Sequence, residues 1–277
     1  MKTLIWMSLS LISFCLMAVA ARELSGQLAV VQTLAIRSFV GLMILTSILI
    51  ATKRLSSLKT KKFSKHVLRN LTHLIGQYGW FVGIGLLPLS NVFALEFTVP
   101  VWVALIAAIF LKEKITKRKV IAIIFGVLGV LIILRPGFQI VDQISIIVLI
   151  SAMFYAVAHS TTKALTSTES PTVIIFYMCL IQFPIVFGFA LFDWQWPNLN
   201  QWSWLALISI TGLTAHFCMT KSMQLSQVTT VMTLDFLRLP MITVVGVLFY
   251  SEGFEIWLLL GAGLMLLGNW IALYRRR

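Results

Sequence analysis

Apolar residues in this chain run in long blocks, broken at fairly regular intervals by charged or turn-forming residues. The stretch from Val120 to Leu134 has no charged residue at all. Runs of about 17 to 25 residues are long enough to cross a bilayer as a helix. They predict ten helices, at about residues 3–21, 28–51, 69–88, 91–111, 119–135, 143–163, 172–192, 201–221, 226–250 and 255–274. Pro88-Leu89-Ser90-Asn91 divides the third from the fourth with almost no loop. Barrel strands would alternate apolar and polar residues in short segments, so the expected class is an all-α integral membrane protein.

The pattern also repeats. Leu11-Ile12-Ser13 with Ala18-Val19-Ala20 returns 138 residues later as Leu149-Ile150-Ser151 with Ala156-Val157-Ala158. At a shift of 139, Glu96-Phe97 falls on Asp235-Phe236, Glu113 on Glu252 and Gly129 on Gly268. Ten helices divide five and five, into units 1–138 and 139–277. Duplicating an odd number of spans turns the second unit over in the bilayer, a common build of secondary transporters. Residues 1–21 also fit a cleaved signal peptide. Because Ser13 and the alanines recur in the sixth helix, the segment is expected instead to be the first helix of a repeat.

Composition agrees: 59% of the 277 residues are hydrophobic and 11% charged. That is more apolar surface than a soluble core absorbs. With the N-terminus inside, 18 of the 22 Lys and Arg residues fall on the cytoplasmic side. Arg22 and Arg135 fall outside, and Arg37 and Arg238 within spans. Both termini are therefore expected in the cytoplasm, with the chain in the cytoplasmic (inner) membrane. The net charge of +13 is loop charge that sets topology and attracts anionic membrane lipid, not a nucleic-acid surface. Cys15, Cys179 and Cys218 lack metal-ligand spacing, and no metal or cofactor is expected. Trp194, Trp196, Trp202 and Trp204 surround Pro197 as an interfacial aromatic belt would.

Ionisable groups inside spans are costly and need a partner or a function. Glu96 and Gln77 are expected to share a depth in the outer half, on either side of the tight turn at residues 88–91, with Arg37 at a depth to neutralise Glu96. Asp235 and His216 are the repeat-related pair in the inner half. Arg238, three residues after Asp235, shares its helix face. These groups either line a central pathway, with Asp235 and His216 able to exchange protons, or form interhelical ion pairs that fix packing. Pro100 and Pro240 follow the acids closely and mark the fourth and ninth helices as bent or discontinuous. Tyr78, its repeat partner Phe217, and Tyr155 supply aromatic surface, the first two being expected to line a cavity. Glu113 and Glu252 end those helices at opposite faces, where each can cap a neighbouring helix N-terminus. His159 and Lys163 are placed at a cytoplasmic helix end, snorkelling. Gly126, Gly129, Gly261 and Gly268 read as close helix contacts, in helices that serve as scaffold or as a homodimer surface.

Leu95-Glu96-Phe97-Thr98-Val99-Pro100 with Glu113, and Leu234-Asp235-Phe236-Leu237-Arg238-Leu239-Pro240 with Glu252, resemble the drug/metabolite transporter superfamily. Within it, the chain resembles ten-span carriers built from two EamA-type units. The resemblance covers essentially the whole chain. It implies a basket-like inverted repeat, with helices one, three, four, six, eight and nine around a central cavity. The substrate it implies is a small organic metabolite (an amino acid, nucleotide-like or vitamin-like compound), moved by alternating access with proton coupling or exchange. Members with an acid and Phe ahead of the proline are similar to carriers for S-adenosylmethionine or riboflavin. An enzyme is not expected, since H-E-x-x-H, G-x-S-x-G and a Cys cluster are all missing from the sequence. The alternative is a non-transporting scaffold or accessory subunit, for example of a lipid flippase.

Overall fold

The computed structural model describes residues 2–110, 117–134, 143–253 and 255–273. These form twelve α-helices and no strand. In chain order they are α1 (Lys2–Leu24), α2 (Val30–Ala51), α3 (Phe63–Leu86), α4 (Leu89–Glu96), α5 (Val99–Phe110) and α6 (Lys117–Leu134). The second half repeats the order as α7 (Gln143–Leu165), α8 (Pro171–Ala190), α9 (Leu199–Leu225), α10 (Val228–Asp235), α11 (Arg238–Tyr250) and α12 (Ile256–Leu273).

Five helices are each long and apolar enough to cross a membrane alone: α1, α2, α7, α9, and α8 with its short extension to Asp193. α3 is as long but carries an inward stripe of polar residues. The fourth and ninth predicted helices are each two shorter ones, as their prolines suggested. At the first break, Thr98 N–H bonds to Leu95 O and Val101 N–H to Thr98 O, tightening the chain to i−3 bonding. The second break does the same, with Leu237 N–H on Leu234 O and Leu239 N–H on Phe236 O. Pro100 and Pro240 then fall in the first turns of α5 and α11, where a missing N–H costs nothing. The prolines therefore start new helices and do not kink continuous ones.

The largest interfaces join one half of the chain to the other: α1 with α9, α3 with α7, α2 with α8 and α6 with α12. Exchanging the halves maps each pairing onto another or onto itself. Small residues permit the approach. A Cβ on Gly76 would lie 3.0 Å from Ser151 O, and one on Gly79 or Gly83 would strike Ser151 or Val148, all on α7. Between α6 and α12, a Cβ on Gly129 would lie 2.7 Å from Gly261 O, so these glycines serve a contact within the chain. In α1, Ser10 Oγ donates to Ala215 O of α9 at 3.0 Å.

Candidate functional site

The two helix breaks meet at one side chain. Arg238, at the start of α11, donates from Nη2 to Glu96 Oε1 at 3.0 Å and to Asp235 Oδ2. Glu96 ends α4 and Asp235 ends α10, so the acid of each half reaches a shared guanidinium. Trp80 Nε1 on α3 donates to the other Glu96 oxygen at 2.9 Å. Phe97 and Phe236, the residues after the acids, stack at 4.4 Å between ring centroids. The Arg238 guanidinium also lies 4.6 Å from the Phe14 ring centre and 5.1 Å from that of Phe93. All of these residues are buried. The cluster formally carries one surplus negative charge, and Asp235 Oδ1 has no hydrogen-bond partner.

Glu96 and Arg238 line a small cavity of about 10 Å³, at most room for a single water. Its wall also includes Gln77, Tyr155, His159 and His216. A second space of similar size lies beside it, between Glu96, Pro100, His159 and Asp235. Gln77 is fully buried and neither end of its amide has a partner. His216 packs edge-on to Phe14 at 5.2 Å and to His73 at 4.7 Å, and Tyr155 stacks on His159 at 5.8 Å.

Several expectations change. Arg37 does not neutralise Glu96, whose described partners are Arg238 and Trp80. Glu96 and Asp235, expected as two separate sites, meet instead at Arg238. Tyr78 faces outward, 47% exposed, and Phe217 packs on Trp6, so neither lines the cavity, whereas Tyr155 does. His159 does not snorkel. It is buried against the acids, while Lys163 Nζ donates to Met223 O and Ser226 O at the end of α9.

Arg69, the first residue of the third predicted helix, is buried within α3, which begins about six residues earlier than expected. The signal was present: His66, Arg69, Asn70, His73 and Gln77 recur at helical spacing and face inward. Arg69 donates to Thr162 Oγ1 at 3.1 Å and Asn70 Oδ1 at 2.7 Å. Gln182 on α8 donates to Asn70 O and meets His73 Nδ1, each at 3.0 Å. Arg37 on α2 lies against Gly212 of α9. Among the described residues, neither Arg37 nor Arg69 forms an ion pair with a carboxylate.

Glu252 has the capping role read from its position. It accepts the Leu89 N–H at 2.9 Å, at the first residue of α4, and Arg22 Nη2 at 2.7 Å. Arg22 also donates to Leu87 O at 2.6 Å, and Tyr250 donates to Glu23 at 2.8 Å. This network ties the end of α1 to the end of α11. The carbonyls that receive Arg22 and Lys163, at Leu87 and Ser226, lie 139 positions apart, the repeat interval. Glu113 lies outside the described residues.

Comparison with known proteins gives a consistent answer. The family model described as the EamA-like transporter family matches residues 1–135 and again 143–274. A riboflavin transporter of Vibrio cholerae is 29% identical over 70% of this chain and 66% of its own length. Another riboflavin transporter, from Rhizobium johnstonii, is 28% identical over 95% of this chain and 87% of its own. An S-adenosylmethionine uptake transporter of Rickettsia bellii is 22% identical, covering 89% and 84%. One solved crystal structure superimposes with a TM-score of 0.70 at 13% identity, over 98% of this chain and 96% of the other, a likeness of fold alone. With two family matches covering nearly the whole sequence, this chain belongs to the EamA-like transporter family and is a multi-pass membrane protein.

Proposed function

We propose that this protein is a secondary active transporter that moves a small vitamin-like or nucleotide-like metabolite across the cytoplasmic membrane by alternating access. The observation that carries the reading is Arg238 held between Glu96 and Asp235, one acid from each half, at the points where two helices are broken. Broken helices expose backbone and charge at mid-depth only where a pathway or protein surrounds them. The central cavity holds about one water, so this conformation is closed and a metabolite enters only if helices move apart. Residues 1–138 and 139–277 act as two inverted five-helix units in this account, giving ten spans with both termini in the cytoplasm. The exchange of interfaces between halves supports it. The Arg22–Glu252–Leu89 network closes the outer side and must part when that side opens. Gln77, with both amide atoms free among the described residues, and His216 are polar groups of the cavity wall placed to meet substrate. Asp235 and His216 remain the candidates for proton coupling.

Riboflavin and S-adenosylmethionine, named for the relatives, are the first compounds to test, together with amino acids and nucleosides. Uptake and counterflow in proteoliposomes, with and without an inward proton gradient, should show saturable movement of one compound. Glu96→Gln and Asp235→Asn should abolish it in protein that still inserts and folds. Loss of neither uptake nor its pH dependence in both variants would make the acids structural. No movement of any compound by folded protein would favour an accessory subunit, a reading that the mutual pairing of the three charges also permits.

A further inference from the structure

The charges inside the protein are divided between two poles. At the helix breaks, two carboxylates share one guanidinium. On the other side of the His216–His73 contact, Arg37 and Arg69 are buried without an acidic partner among the described residues. Arg69 at least has Thr162 and Asn70. Arg37 is 3% exposed, and its Nε and Nη2 have no hydrogen-bond partner among the described residues.

An unpaired guanidinium away from water is among the costliest states for a side chain, and it persists where function requires it. The surroundings are shaped to keep it. Gly212 leaves the space Arg37 occupies, since a Cβ there would lie 2.5 Å from Nε. Nearby hydrogen-bonding capacity is also unused: Asn70 Nδ2 and His73 Nε2 are buried donors or acceptors without partners.

We infer that Arg37 receives an anionic group, a carboxylate or phosphate, carried by the transported molecule. The inference rests on the transporter reading and specifies its substrate: an acid or zwitterion, whose anionic end takes Arg37 while any cationic or polar end faces Glu96 and Asp235. A planar guanidinium whose Nε and Nη2 are both free suits either oxyanion.

The test uses purified full-length protein and probes that differ only in the acid: riboflavin 5′-phosphate against riboflavin, and S-adenosylmethionine against its methyl ester. Inorganic phosphate and acetate serve as minimal anions. In at least one pair the acid should bind about tenfold or more tighter, and Arg37→Gln should bring its two members within roughly twofold. Without ligand, Arg37→Gln should melt at or above the wild-type temperature, because an uncompensated buried charge is gone. A lower melting temperature for that variant, a preference that survives it, or no response to any of these anions would overturn the inference. Stabilisation by phosphatidylglycerol vesicles and by none of the soluble probes would assign Arg37 to a lipid headgroup and also overturn it. Counterflow in wild-type proteoliposomes separates the two levels. If a compound is carried but its affinity is unchanged by Arg37→Gln, only this inference fails, whereas no counterflow of any compound removes the transporter reading itself.

Discussion

Arg238→Gln should be among the most damaging single substitutions in the chain. Arg238 is 2% exposed and supplies one nitrogen to Glu96 at 3.0 Å and to Asp235, beneath the rings of Phe14 and Phe93. Removing it leaves two carboxylates facing one vacated point in a closed interior. Breaking a buried ion pair from one side typically costs about 3 to 5 kcal/mol, because the remaining charge stays uncompensated. In a chain of this length each kcal/mol lowers the melting temperature by roughly 2 °C. Combining Arg238→Gln with Glu96→Gln and Asp235→Asn removes all three charges, so most of the loss should return. Melting in detergent, followed by tryptophan fluorescence, suits the experiment, since Trp80 bonds directly to Glu96. The reasoning is refuted if the single variant loses less than about 1 kcal/mol, or if the triple variant melts no higher than the single.

Three further outcomes follow. Glu252→Gln weakens both the cap on Leu89 and the tie to Arg22, so it should destabilise the protein by about 1 to 2 kcal/mol and raise thiol labelling of a cysteine placed beside Leu87. Gly212→Ala puts a methyl 2.5 Å from Arg37 Nε and should cut uptake severalfold while membrane insertion, checked by yield, is kept. Tyr78→Ala alters an outward-facing side chain, so its uptake kinetics should match wild type.

Much of the architecture was legible because it depends on short-range rules. A proline four or five residues after a mid-span acid, once in each half, marked both helix breaks. Glu252 ended its helix where a neighbouring N-terminus needed an acceptor. Charge pairing was not legible in the same way. Placing Arg37 beside Glu96 rested on a depth count along each span, which does not say which helices are neighbours; the two breaks meet, and Arg238 reaches both acids there. Arg69 was placed at the very start of its helix because hydropathy starts α3 late, although a polar stripe at helical period runs from His66 to Gln77. Tyr78 illustrates the converse. It adjoins Gln77, yet one residue along a helix is a turn of about 100°, enough to point the ring outward.

The central claim is that the space between the helix breaks opens in turn to each side. Met219 lines that space without belonging to the charged cluster, and Cys15, Cys179 and Cys218 are buried and replaceable. A single cysteine at position 219 in a background free of native cysteines can be challenged with a membrane-impermeant thiol reagent, in right-side-out and in inverted vesicles. Alternating access predicts labelling from both sides, with rates that shift when the transported compound is present. Labelling from one side only, or from neither, would contradict the account.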